Sequence, residues 1–231
     1  MAIRVVLFDI DGTLVLTGGA GARAMLRTFE DVFGPRRPSV EVPFAGRTDT
    51  WIISELARLH GYPHNRGSLA RFRDRYLIHL AEEIEKPGPQ KGILPGVRSL
   101  LETLDARQDV DLGLLTGNFE GGARIKLEFF DLWKYFVCGA FAEDAPDRNG
   151  LFAPALSRLQ ASGRQAPPAH EVAVIGDTPL DIGVARSAGA RAVAVATGSF
   201  PMDALRTSGA DAVLADLSDH DKALAALGVE R

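Results

Sequence analysis

The stretch Ile3-Arg4-Val5-Val6-Leu7-Phe8-Asp9-Ile10-Asp11-Gly12-Thr13-Leu14, at the head of a 231-residue chain, decides the fold. Ile3, Val5, Val6, Leu7 and Phe8 form a nearly continuous apolar run, as expected of a strand buried on both faces of a parallel sheet. The run stops at two aspartates two residues apart, and Gly12 follows. Ligands of open α/β sheets bind just beyond the carboxyl ends of the strands, which is where Asp9 and Asp11 fall. Two carboxylates this close repel each other in a partly buried site, so a bound cation or a shared proton must offset them. A hard ion with oxygen ligands, Mg²⁺ above all, suits such a pair. If the chain turns at Gly12, Asp9 can point into the site as a nucleophile while Asp11 lies beside it to move protons. The same residues would also make a strand followed by an ordinary Asp-Gly turn with both carboxylates in water.

Downstream, residues 17–21 are a flexible Gly-rich stretch, and a helix is expected from about Ala20 to Phe33, ended by Gly34-Pro35. Further helices are expected over Trp51 to Leu59 and Leu69 to Ile84, where Leu69, Phe72, Tyr76 and Leu80 recur at helical spacing. No strand pattern occurs between about 18 and 86. Lys86-Pro87-Gly88-Pro89 breaks the helical region, and strands then alternate with helices. Strands are expected at Val110 to Leu115, near Phe136–Val137, at Val172 to Ile175, at Arg191 to Val195 and near Ala212–Leu214. Alternation of this kind predicts a doubly wound parallel sheet with helices on both faces. The α/β core comprises 1–16 and 88–231, and an all-helical insert, 17–87, interrupts it between the first strand and the next helix.

Two more polar clusters follow apolar runs. Leu115-Thr116-Gly117-Asn118 offers a hydroxyl and backbone N–H groups ahead of a helix, a good seat for phosphate and also an ordinary helix cap. Gly176-Asp177-Thr178-Pro179-Leu180-Asp181 follows the run from Val172, and Asp177 or Thr178 before Pro179 is a sound helix start.

These three motifs, in this order and each after a strand-like run, resemble the haloacid dehalogenase superfamily of Mg²⁺-dependent phosphohydrolases. The resemblance spans nearly the whole chain and is closest to the branch of phosphoglycolate phosphatase and β-phosphoglucomutase, in which a helical cap is inserted after the first motif. It implies an aspartyl-phosphate formed on Asp9, with Asp11 protonating the leaving alkoxide and then activating water. It also implies Mg²⁺ held by Asp9, Asp177 and the main-chain carbonyl of Asp11, phosphate bound by Thr116, Gly117 and Asn118, and a supporting role for Asp181. Dehalogenating relatives lack the second aspartate, so Asp11 argues for phosphate chemistry. Relatives usually carry a lysine upstream of the last motif, whereas residues 143–150 here read Glu-Asp-Ala-Pro-Asp-Arg-Asn-Gly. Arg148 is the expected replacement, a permanently charged group able to bind phosphate in bidentate fashion. The rival for this role is Lys126, on the helix after Thr116; flanked by the apolar Ile125 and Leu127, it ranks behind Arg148 and reads more simply as an ordinary amphipathic helix position. In the insert, Gly46-Arg47-Thr48-Asp49 corresponds to a cap segment facing the site, where Arg47 would read a substrate carboxylate or second phosphate; a helix cap is the plainer reading.

Net charge is −4, from 26 Lys and Arg against 30 Asp and Glu, and no long basic run argues for nucleic acid. Cys138 is the only cysteine and is expected to be a buried small hydrophobe; it excludes an intrachain disulfide and fits a reducing cytoplasm. With a strand expected at the head of this sequence no signal peptide is expected, and no apolar stretch approaches the ~20 residues that span a bilayer. The expectation is a cytoplasmic phosphatase of a small phosphate ester such as phosphoglycolate or a sugar phosphate, monomeric or homodimeric. A phosphosugar mutase and a catalytically idle binding module on the same fold are the rivals.

Overall fold

The computed structural model describes residues 2–34, 42–62 and 65–229. Pro35 of the expected helix stop and His64 lie outside the described residues. Strand β1 (Val5–Phe8) is followed by the two-residue β2 (Val15–Leu16) and three helices, α1 (Ala20–Phe33), α2 (Asp49–Leu59) and α3 (Arg66–Glu83). The chain returns through β3 (Gly92–Ile93) to α4 (Val97–Asp105), β4 (Asp111–Leu115), α5 (Glu120–Phe129), β5 (Cys138–Ala140) and α6 (Phe152–Ala161). Then come β6 (Val172–Gly176), α7 (Pro179–Ala188), β7 (Arg191–Val195), α8 (Met202–Thr207), β8 (Ala212–Leu214) and α9 (His220–Leu227).

Six strands form one sheet in the order β5-β4-β1-β6-β7-β8, and every pairing in it is parallel. Strand β1 is therefore interior, and its side chains alternate between two dry layers. Val6 and Phe8 pack with Leu100 and Leu104 of α4, Leu127 of α5 and Leu227 of α9. Val5 and Leu7 pack with Leu159 of α6 and Ile182 of α7 on the other face. Burial on both sides is why the run carries no polar residue.

Helices α1, α2 and α3 share a third apolar cluster built on Met25, Phe29, Ile53, Leu56, Phe72 and Tyr76, into which Phe119 and Ala142 also pack. Met25, rather than its neighbour Leu26, takes the buried position on α1. Strands β2 and β3, which the sequence did not reveal, pair antiparallel and bring the two connections of the helical segment side by side. The expected strand near Phe136–Val137 lies at Cys138–Ala140 instead, because its position is fixed by pairing of Cys138 with Gly113 and Ala140 with Leu115. Cys138 is half-buried rather than buried, and burial, helped by Asp111, pushes its thiol up to about 11. Among the described residues no helix is long and apolar enough to cross a membrane.

Candidate active site

Three neighbouring strands end at the same place. Phe8 of β1 is in register with Leu114 of β4 and Ile175 of β6, so the residues just past these ends, Asp9, Thr116 and Asp177, converge at the point where the sheet winds in opposite directions. After Asp9 the chain folds back at once: the amides of Thr13, Leu14 and Val15 all donate to the Ile10 carbonyl, and Gly12 donates to that of Val15. Gly12 has φ +81°, and a Cβ there would stand 2.5 Å from Asp177 Oδ2, so both the turn and the neighbouring carboxylate require glycine. The Thr13 hydroxyl donates to Asp177 Oδ1 at 3.3 Å, and the Thr197 hydroxyl donates to the Gly12 carbonyl at 2.6 Å.

Asp9 is 4 % exposed, and its Oδ1 lies 2.7 Å from Nη2 of Arg148. The same guanidinium nitrogen donates to Asp181 Oδ1, and Nη1 donates to the Gly46 carbonyl at 3.1 Å. Arg148 begins a 3₁₀ turn capped by the Asp147 side chain, which accepts from the Gly150 amide and feeds directly into α6. Burial opposes the Arg148 charge, but Asp181 and Asp9 more than offset it and hold its pKa above the ordinary value. Asp181 also accepts from the Thr178 amide and hydroxyl, completing a capping box at the start of α7. Thr178, rather than Asp177, is the cap residue.

Asp11 faces the other way. Its carboxylate, 45 % exposed, accepts from Lys126 Nζ at 2.8 and 2.6 Å and from Asn118 Nδ2 at 2.9 Å. Lys126 also donates to Asn118 Oδ1 at 2.6 Å, and Asn118 Nδ2 reaches Thr116 Oγ1 at 2.8 Å. Lys126 is thus no ordinary amphipathic position: it is 4 % exposed and belongs to the site. The buried stripe of α5 is Gly122, Ala123, Lys126 and Leu127, spaced by three and four residues, and reading the helix by position rather than by neighbours would have found it.

Asp9, Asp177 and Asp181 each offer an oxygen within 4.8 Å of the others, all of them buried. Asp177 has no ion pair among the described residues, and burial, then the charges of Asp9 and Asp181, push it up to about 8. Asp9 is raised to about 6, chiefly by burial, with Arg148 opposing. Three buried carboxylates against one guanidinium are short of positive charge, and an all-oxygen donor set is what a hard divalent cation takes. Asp181 is already engaged on both oxygens, which leaves Asp9 and Asp177 as the freer donors.

The helical segment sits on this cluster. The Asp49 amide donates to the Gly117 carbonyl at 2.7 Å, and its carboxylate accepts from the Phe119 amide at 2.9 Å. The Thr50 hydroxyl donates to Ala142 O at 3.0 Å. A Cβ on Gly117 would stand 2.1 Å from the Arg47 carbonyl, so the two backbones meet only because that residue is glycine. Thr48 caps α2 by accepting from the Trp51 amide, which frees Asp49 for this contact. Burial raises Asp49 to about 7, with Lys126 opposing. Arg47 is exposed, with its guanidinium 4.4 Å from the centroid of the Trp51 ring. Asp9, Asp11, Arg47, Asn118, Lys126 and Arg148 all border one cavity of about 470 Å³.

Every residue expected to carry chemistry therefore lies just past these strand ends, on the turns and helix starts that follow them, or on the loop before α2. Asp49, read from sequence as a helix-cap residue, and Lys126, the rival for the basic role, join them. The sequence profile of the haloacid dehalogenase-like hydrolases matches residues 6–195. The phosphoglycolate phosphatase of Rhodospirillum rubrum is 28 % identical over 93 % of this chain and 88 % of its own length. Its counterpart from Chromobacterium violaceum is 30 % identical over 85 % of this chain and 86 % of its own. A hydrolase from Pseudomonas syringae has the same fold, with a TM-score of 0.69 at 24 % identity, covering 96 % of this chain and 98 % of that one. The profile match spans well over half of the sequence, and the chain belongs to the haloacid dehalogenase-like hydrolases.

Proposed function

We propose that this chain is a Mg²⁺-dependent phosphomonoesterase that works through an aspartyl-phosphate on Asp9. The observation that carries the reading is the contrast between the two aspartates of the first motif. Asp9 is buried against Arg148, whereas Asp11 is half-exposed at the cavity and tied to Lys126 and Asn118. A carboxylate attacking phosphorus needs no base, and the Asp9 oxygen forms the P–O bond as the ester oxygen leaves. Asp11 delivers the proton that the leaving alkoxide takes, then removes one from the water that cleaves the acyl phosphate. Thr116, Gly117 and Asn118 hold phosphoryl oxygens, and Arg148 keeps Asp9 aimed, itself oriented by Asp181. Asp9, Asp177 and the Asp11 carbonyl would hold Mg²⁺, which supplies charge neutralisation for carboxylate and phosphoryl oxygens when bound.

Residues 17–87 act as a cap that excludes water from the acyl phosphate when seated. Support comes from their separate apolar cluster, the paired connections at β2 and β3, and the contacts of Gly46, Asp49 and Thr50 with the core. Relatives named for phosphoglycolate, pyrophosphate and glycerol-1-phosphate hydrolysis put those three compounds on the test panel. The test is phosphate release, with and without Mg²⁺, from a panel holding these, sugar phosphates and p-nitrophenyl phosphate. Release should need the metal and fall by about four orders of magnitude or more in Asp9→Asn. Undiminished turnover in that variant would overturn the reading, and absence of net release from every ester would direct attention to a mutase with a bisphosphate primer.

A further inference from the structure

The cavity above the strand ends says more about the leaving group than the motifs do. At about 470 Å³ it falls within the range of sites that enclose drug-sized ligands. A phosphoryl group on a two-carbon acid would leave most of it to water. The strand ends supply the polar floor. The helical segment and its first connection supply an apolar wall: half-buried Leu16 and Phe44, the latter on the loop before α2, backed by the buried side chains of Met25 on α1, Ile52 on α2 and Tyr76 on α3. The Tyr76 phenol is held well above its ordinary pKa by burial, with Asp49 and Asp11 adding to the effect, so this wall carries no charge.

Positive charge at the cavity is already committed. Arg148 is paired with Asp9 and Asp181, and Lys126 with Asp11. Arg47 lies at the exposed rim over Trp51. A second anionic group on the substrate, such as the carboxylate of phosphoglycolate, would face Asp11 and Asp49 with only that rim guanidinium in its favour. A hydrocarbon body would instead displace water from apolar walls and bring no charge needing a partner.

From this we infer that the substrate is a phosphate monoester of an uncharged alcohol with a sizeable apolar body, rather than a short phosphorylated acid. The inference rests on the phosphomonoesterase reading above and specifies its substrate class.

The experiment compares kcat/KM, with Mg²⁺ present, for n-alkyl phosphates from methyl to hexyl beside phosphoglycolate and p-nitrophenyl phosphate. The alkyl leaving groups differ little in acidity, so the series isolates burial from chemistry. Each added methylene should raise kcat/KM roughly two- to fourfold until the wall is filled, and hexyl phosphate should exceed phosphoglycolate at least tenfold. A flat or falling series, or preference for phosphoglycolate, overturns the inference and leaves the phosphatase reading standing. No release from any ester, p-nitrophenyl phosphate included, overturns both. Phe44, half-buried on its loop, provides a variant compatible with folding. Phe44→Ser should flatten the chain-length dependence while Phe44→Leu keeps it, and an unchanged slope in Phe44→Ser counts against the wall.

Discussion

Two cations are buried at the ends of these strands, and they solve different problems. Arg148 stands among three buried carboxylates, two of which it contacts, and the third, Asp177, is left without an ion pair among the described residues. Lys126 stands beside one carboxylate that water also reaches, and Asn118 shares the contact. One side of the β1 turn is thus short of positive charge, and the other is close to balance. A divalent cation belongs where the shortage is, and a residue that must gain and lose a proton belongs where solvent reaches. The contrast explains why a single Asp-x-Asp motif can divide its labour.

Removing each cation should expose the difference. Arg148→Met would leave Asp9 and Asp181 buried near one another without a counter-charge, and breaking a buried pair in this way costs about 3–5 kcal/mol. Urea unfolding of the metal-free protein at pH 8 should show that loss, and added Mg²⁺ should recover part of it by binding only the folded state. Lys126→Met removes a pair whose acid is half-exposed, so its cost to stability should be about 1 kcal/mol or less. Equal destabilisation by the two variants would erase the distinction.

For activity, Lys126→Met should be far from silent. With Asp11 no longer held, proton transfer to the leaving group suffers, and a contribution of about 10² in kcat is at stake. The loss should be greatest for alkyl phosphates, which need a proton on departure, and smallest for p-nitrophenyl phosphate, which does not. Lys126→Arg should restore part of it. A uniform drop across leaving groups would mean that Lys126 acts only on packing.

Sequence reading reached the sheet and most of the site because both leave strong local marks. A strand dry on both faces must be apolar throughout, so β1 could be read from Val5 to Phe8 alone, and each motif sits immediately after such a run. Arg148 was found because the loop 143–150 holds no other cation. What escaped depends on partners distant in the chain. Strands β2 and β3 have two residues each, too short for any periodicity, and exist only through each other. Strand β5 is Cys138-Gly139-Ala140, with little apolar weight, while the more hydrophobic Phe136 and Val137 precede it. Thr48 and Asp49 are equally good helix caps in sequence, and only the approach of Phe119 decides which is free. Lys126 ranked behind Arg148 because its immediate neighbours are apolar, whereas its place on the wheel of α5 puts it in the site.

Asp49 offers the finest test of the balance on the Lys126 side. It is a second carboxyl near that lysine, seated in the contact between α2 and the core, and burial outweighs the lysine so that it titrates at about 7 instead of the usual 3.8. In the unfolded chain Asp49 has lost its proton by pH 5.5, whereas in the folded chain it keeps it to near neutrality. The folded state therefore binds more protons across this window, and stability falls as pH rises through about 7. An asparagine keeps the oxygen that accepts from the Phe119 amide and does not titrate. The urea midpoint of Asp49→Asn should fall less between pH 5.5 and 8 than that of the parent, the difference being on the order of 1 kcal/mol. The measurement is made in chelator, so that titration of Asp9 and Asp177 is common to both proteins and cancels. If the two pH profiles superimpose, Lys126 holds Asp49 ionised throughout, and the Lys126 side carries two negative charges on one cation.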